Sequence, residues 1–409
     1  MRQDDGMTRI GAGLAAGVDL VRDAVEATEQ ALGPLDGAAP DLVCVFGSGA
    51  DADDFGDAVL QVAQDARATV VIGCTASGVI GAGAGVESAP AVSVWAGYLP
   101  GARLRPFRLD VLRTGDGLAV VGLPDITTQD RVGLLFADPL TFPIDGFVER
   151  SNDLVPGFPY VGGLAAGLPG DGGTRLVLDG ELHNRGAVGV LIGGEVEVAT
   201  TLSQGCRPVG PTMAVTRAEG NIIFEMAGMP ALAKLEELLT ELPDEDRLLA
   251  ADGLQLGVAM DEYADAHGYG DFLIRGMVGA DRATGAIVVG DVVEVGRTVR
   301  FQLRDADAAR LDLDQVLAKF RGSTGELSGA LLFSCNGRGA DVFGTADHDV
   351  RAVEAGLGLS GVAGFFAAGE IGPVGGRNYL HGFTATILAF GGQPSERGRA
   401  AAGPAGGDG

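Results

Sequence analysis

The chain is 409 residues long, with 46% hydrophobic but only 6% aromatic residues, so its core must be assembled chiefly from Val, Leu, Ile and Ala. The 29 Lys and Arg against 55 Asp and Glu leave a formal charge of −26, which excludes a phosphate-neutralising nucleic-acid binder and disfavours anionic membranes. No uncharged apolar run reaches the ~18 residues of a membrane helix, and no export signal is expected at the start. Four cysteines (Cys44, Cys74, Cys206, Cys335) without CxxC spacing argue for neither a zinc knuckle nor a disulfide scaffold. The expectation is a cytoplasmic protein in reducing surroundings, with no metal and no cofactor.

In chain order, residues 8–32 read as one helix, with Leu14, Val18, Val21, Val25 and Leu32 near helical spacing and Gly33-Pro34 as its stop. Within it, Gly11-Ala12-Gly13-Leu14-Ala15-Ala16 imitates a dinucleotide fingerprint, but it has Ala at the sixth place and no expected strand before it. A nucleotide site is therefore rejected. Next, a unit of two apolar runs, each ending in a small-residue loop, occurs three times. Strands are expected over 42–46 and 70–73, then 132–136 and 160–161, then 330–334 and 362–366. The spacing is 30 residues from Cys44 to Cys74, 28 from Gly133 to Val161 and 31 from Leu332 to Ala363, each the size of a βαβ unit. Such strands are apolar throughout because both faces are covered.

Between the units, 187–192, 195–202, 212–216 and 221–224 read as hairpin strands bounded by Gly and Asn. Pro230 opens an amphipathic helix over 231–242 that Pro243 closes. A second meander is expected over 272–278, 286–289 and 298–303, followed by a helix over 312–320. These elements predict a two-domain α/β protein whose mixed sheets combine βαβ-like units with antiparallel meanders. Its parts are a lead-in over 1–39, domains over 40–228 and 229–390, and a disordered tail over 391–409, where Gly, Pro, Ala and Arg leave nothing to bury.

Two segments carry chemistry. Cys335-Asn336-Gly337-Arg338-Gly339 leaves a buried strand, and about 30 residues later Gly369-Glu370 opens a glycine-rich loop that reaches Arg377 and Asn378. Ligands of open α/β sheets sit at such strand ends. Arg suits a planar carboxylate and Glu suits an ammonium, so an amino acid fits the pair; a buried Arg–Glu brace fits it equally. The second segment, Ser203-Gln204-Gly205-Cys206-Arg207-Pro208-Val209-Gly210-Pro211, reads as a connector stiffened by two prolines. Arg207 beside Cys206 could lower the thiol pKa. His381 completes a Cys–His pair if it faces Cys335 or Cys206, although its apolar setting favours a packed histidine. No Walker A, GxSxG or HExxH motif is present.

Together, 203–208, 333–339, 364–374 and His381-Gly382-Phe383-Thr384 resemble the FIST family. Gly73-Cys74-Thr75-Ala76-Ser77-Gly78 resembles the glycine-cysteine turn of its N-terminal domain, where Glu often follows the last Gly and Val79 stands here. The resemblance covers about residues 40–390, both FIST N and FIST C domains. It implies a small-ligand sensory module for signal transduction, with amino acids or small carboxylates as ligands and a downstream partner protein, since no output domain is visible. The ligand-binding residues it implies are Cys74, Gln204, Arg207, Cys335, Asn336, Arg338, Glu370, Arg377 and Asn378. Two other readings stand beside it, a thiol-dependent enzyme using Cys335 or Cys206 with His381, and a structural adaptor without a ligand.

Overall fold

A computed structural model describes residues 6–391 apart from 50, 116, 168–172 and 265, so the tail expected to be disordered lies, after Gly391, outside the described residues. The first stretch contains β1 (Arg9–Ala16), α1 (Leu20–Leu32), β2 (Leu42–Ser48), α2 (Ala52–Ala66), β3 (Val70–Thr75), β4 (Gly78–Gly81), β5 (Ala84–Glu87) and β6 (Ala91–Tyr98). The second contains β7 (Ala102–Thr114), β8 (Gly117–Val121), β9 (Asp130–Ala137), α3 (Ile144–Leu154), β10 (Tyr160–Leu164), β11 (Leu176–Leu178), β12 (Glu181–His183) and β13 (Ala187–Gly194). After β14 (Glu197–Gln204) come β15 (Cys206–Glu219), β16 (Ile222–Met226), β17 (Met229–Pro230), α4 (Ala231–Glu241), α5 (Asp244–Gly253), β18 (Leu254–Ala259), β19 (Phe272–Asp281), β20 (Ala286–Val289) and β21 (Thr298–Arg304). The last stretch is α6 (Ala306–Ser323), β22 (Leu327–Cys335), α7 (Ala340–Phe343), α8 (His348–Leu357), β23 (Val362–Ala367), β24 (Glu370–Val374), β25 (Arg377–His381) and β26 (Thr384–Gly391).

These elements form two compact units: unit 1 runs to Leu202 and resumes over Asp314–Leu380 and from Ala385, while unit 2 is Ser203–Leu313 with His381–Thr384. The α/β class with mixed sheets and antiparallel meanders is as the sequence predicts. Two local readings are corrected. Residues 9–16 form a strand, and the helix begins only after Asp19, whose carboxylate caps Arg22 N at 3.1 Å. Gly11 and Gly13 serve that packing: a Cβ there would lie 2.0 and 1.9 Å from the carbonyl oxygens of Ala31 and Ala27 on α1. The connector expected over 203–211 is largely strand, because Cys206 to Val209 pair with Arg304 to Phe301 on β21.

Unit 1 holds three sheets built to one plan. Each centres on a parallel pair, β2–β3, β9–β10 and β22–β23, flanked on one side by antiparallel β6, β13 or β26. On the other side stands a hairpin taken from a different sheet. β4–β5 follows β3 but pairs with β23; β24–β25 follows β23 but pairs with β10; β11–β12 follows β10 but pairs with β3. The exchange is therefore cyclic. One glycine recurs in each parallel pair: a Cβ on Gly73, Gly162 or Gly364 would lie 1.8, 1.9 or 1.8 Å from the carbonyl oxygen of Val45, Leu135 or Leu332. Across the three sheets Phe46, Phe136, Phe333 and Phe365 meet at ring distances of 5.0–5.7 Å and anchor one shared core.

In unit 2 the antiparallel ladder β15-β21-β18-β19-β20-β16 closes on itself through the β15–β16 pairing. Its apolar filling includes Leu256, Ile287, Val299 and Phe301, with Leu235 and Leu238 of α4 packed in.

Candidate functional site

The cyclic exchange brings the strand-end loops of unit 1 together. Thr75 Oγ1 donates to Ala166 O at 2.7 Å, and Ser77 Oγ to Phe366 O at 3.2 Å. Leu164 N donates to Gly369 O at 2.8 Å, and Ala368 N to Leu164 O at 3.1 Å. The three loops thus close a ring at the carboxyl ends of β3, β10 and β23, the end of an α/β sheet where ligands collect. Cys335 lies at this end too, in register with Ala367, which is three residues before Glu370 begins β24.

Glu370 departs from the plan of the ring. It stands opposite Gly163, while the matching positions of the other hairpins are Val79 opposite Phe365 and Leu176 opposite Cys74. All three side chains are fully buried, so one sheet carries a carboxylate where the other two carry aliphatic groups.

The remaining residues singled out in the sequence have distinct places. Arg338 is gripped by Asp349, with Nε 2.8 Å from Oδ2 and Nη2 2.9 Å from Oδ1, both side chains 2% exposed. Ser334 Oγ and His348 Nδ1 complete the ring around that carboxylate at 2.6 and 2.8 Å. Burial alone would raise the Asp349 carboxyl, but Arg338, His348 and Ser334 outweigh it and hold it far below the usual carboxylate range. Arg338 is therefore committed to a carboxylate of its own chain. Asn378 is a latch: its N donates to Asn152 Oδ1 at 2.8 Å, its Nδ2 donates to Phe158 O at 2.8 Å, and its Oδ1 accepts from Tyr160 N at 2.8 Å. Arg377 and Asn336 are exposed. Cys335 is 5% exposed, and its Sγ accepts from Gly337 N at 3.4 Å, capping the short turn Asn336–Arg338. Cys74 sits inside the shared core, where burial and then nearby Cys44 push its thiol well up.

Unit 2 holds the other four, Gln204, Cys206, Arg207 and His381. Gln204 is fixed through Nε2 to Gly270 O and Phe272 O at 3.1 and 3.3 Å, and through its N to Asp312 Oδ2 at 2.8 Å. Arg207 bridges Asp246 and Asp305, the latter at 2.5 Å, on the wall of an open depression of about 520 Å³. Cys206 lies among Ala259, Phe272 and Ile274 with Phe383 against them, an apolar setting that packs the thiol. His381 is 3% exposed, and Phe383 two residues on adopts φ 59°, a left-handed backbone that a bulky residue rarely takes.

The Asp349, Ser334, His348 and Asn152 partners were missed by sequence reasoning. Asp349 carried a signal in hindsight, being an acid on the crossover between two buried strands, the one whose first loop bears Arg338. Among the described residues no group of His, Cys, Asp and Glu is arranged to hold a metal ion, and no helix is long and apolar enough to cross a membrane.

Comparison with known proteins agrees along most of the chain. An uncharacterized protein of Mycobacterium bovis is 42% identical over 386 residues, covering 93% of this chain and 98% of its own. An uncharacterized protein of Mycobacterium tuberculosis is 42% identical over 383 residues, covering 93% and 99%. Residues 41–229 match the FIST N domain and residues 231–373 the FIST C domain, so the boundary between the family's domains falls inside unit 2. FIST domains are associated with sensory signal transduction, and on these matches the chain belongs to the FIST family.

Proposed function

We propose that this chain is a cytoplasmic sensor that binds an amino acid or a related small carboxylate at the strand-end loops of unit 1 and acts through a partner protein. The observation that carries the reading is Glu370, a fully buried carboxylate at a place the fold elsewhere fills with Val79 and Leu176. Hydrophobic residues satisfy the architecture there, so the carboxylate is retained for a purpose other than packing. In this reading Glu370 meets the ligand ammonium. Arg377 takes the ligand carboxylate, since Arg338 is occupied by Asp349. Four free cysteines, all buried, are compatible with reducing surroundings.

The test is a thermal-shift panel of amino acids and small carboxylates on the wild type and on Glu370→Leu. A ligand at 100 times its Kd stabilises the wild type by about 2.7 kcal/mol. Glu370→Leu, which copies Leu176, is expected to fold with an unchanged circular dichroism spectrum and to lose the shift. An unliganded protein weakened by about 3–5 kcal/mol, as for a broken buried ion pair, with the ligand shift retained, overturns the reading.

A further inference from the structure

The antiparallel strands beside the three parallel pairs carry a second departure from the shared plan. One residue past the crowded carbonyls of Val45, Leu135 and Leu332 stand Phe46, Phe136 and Phe333. Their cross-strand partners are Ser93 on β6, Val188 on β13 and Thr386 on β26, all fully buried. Val188 has no polar group to satisfy, and Ser93 Oγ donates to Ile80 O at 2.5 Å. Thr386 Oγ1, by contrast, has no hydrogen-bond partner among the described residues. A buried hydroxyl without a partner is costly. The other two sheets show that a valine or a satisfied serine serves the architecture at this place.

Thr386 and Glu370 meet on one strand face. Because Thr386 stands opposite Phe333, it lies on the side of its sheet that enters the shared core. Glu370 occupies the place of Val79 and Leu176, both members of that core. Gly372, two residues on from Glu370, shares its face, and a Cβ there would lie 3.2 Å from Thr386 Oγ1. The hydroxyl therefore sits against β24 about 7 Å along the strand from Glu370. The matching contact in the ring is Gly81 with Ser93, where a Cβ on the glycine would lie 2.9 Å from Ser93 Oγ. There the residue two before the glycine is Val79, and the hydroxyl is already spent on Ile80 O. The two departures from the plan, a carboxylate and an unpartnered hydroxyl, thus coincide at a single place.

We propose that Thr386 is a further ligand-binding residue of the site, its Oγ1 accepting one hydrogen bond from the ligand's ammonium while Glu370 accepts another. The inference rests on the sensory reading above and narrows it to ligands that carry an ammonium, which has donors for both oxygens. A carboxylate without an amino group offers Glu370 nothing to accept. Both groups are shut off from solvent, so the ligand is small and enters when the surrounding chain parts.

The test uses the full chain, with thermal shift and titration calorimetry. The probes are the protein amino acids and, as ligands without an ammonium, acetate and succinate, each at millimolar concentration. Thr386→Val copies Val188. It is expected to keep the circular dichroism spectrum and the unliganded midpoint, because the hydroxyl it removes has no partner. Binding of the amino acid that stabilises the wild type should weaken by about tenfold or more, as for a lost hydrogen bond to a charged group. Thr386→Ser keeps an accepting oxygen and is expected to bind as the wild type does. Undiminished binding in Thr386→Val, with binding abolished in Glu370→Leu, overturns the role of Thr386 and leaves the sensory reading standing. So does stabilisation by acetate or succinate with none by any amino acid. A Thr386→Val protein that is destabilised without ligand yet keeps its ligand shift assigns the hydroxyl to a structural contact and likewise overturns the proposal. A panel in which no probe stabilises the wild type overturns both.

Discussion

Arg338 holds Asp349 side-on through two hydrogen bonds of 2.8 and 2.9 Å, and both groups are shut off from water. Removing one partner strands the other charge, so Asp349→Ala is expected to cost about 3–5 kcal/mol in urea unfolding. The pH dependence follows from the same contacts. The folded carboxyl titrates below its unfolded value, so its stabilisation is complete above about pH 4 and is lost as pH falls toward the folded pKa. Asp349→Asn should remove that acid limb of the stability curve. An unchanged acid profile in the variant would show that other carboxylates control it.

The three glycines of the parallel pairs should behave alike. A Cβ within 2 Å of a backbone carbonyl oxygen at Gly73, Gly162 and Gly364 cannot be relieved by moving a side chain. Each Gly→Ala change is expected to cost at least the ~1–3 kcal/mol of overpacking, read as a lower denaturation midpoint or loss of soluble protein. Gly146, whose added Cβ meets nothing within 4 Å, supplies the control. Tolerance at any one of the three would break their equivalence.

Asn378 joins β25 to Asn152 on α3 and to the segment entering β10. Asn378→Ala leaves buried Tyr160 N and Phe158 O unmatched, at about 1–3 kcal/mol for each unsatisfied group. Faster hydrogen exchange at Tyr160 and over 377–380 is the expected accompaniment, and exchange unchanged at both would refute the latch.

Burial raises the thiols of Cys44 and Cys74, with nearby Cys44 adding to the effect on Cys74. Neither should be alkylated by iodoacetamide in the native state at pH 8, and both should react after unfolding, as mass spectrometry of digested protein would report. Rapid native labelling of Cys74 would show that the ring of loops opens.

How far the sequence discloses this molecule depends on the range of each interaction. β2, β3, β9, β22 and β23 are legible because burial on both faces demands unbroken apolar runs, and their shared spacing already points to one repeated plan. β1 is not legible, since a Gly- and Ala-rich run fits a helix as well as a strand; the decision rests on Ala27 and Ala31 of a helix not yet placed. β15 is hidden by Pro208 and Pro211, which read as a loop until β21 is seen beside them. Among the site residues, the loops after β22 and β23 are legible from charges set among glycines. The direction of their side chains is not, because Asp349 and Asn152 are tertiary partners, 11 and 226 residues from Arg338 and Asn378.

The cyclic exchange of hairpins bears on how the chain is made. β4–β5 leaves the ribosome near residue 87 and has no strand to join until β23 appears after residue 362. The first sheet likewise waits for β11, and the second for β24. The first sheet is complete once β12 is made, but the other two wait for β23 and β24 near the end of synthesis, and long-range pairing of this kind is slow. Nascent chains must carry unfinished strand edges for nearly the whole of translation, and truncated products should be clients of chaperones rather than stable fragments.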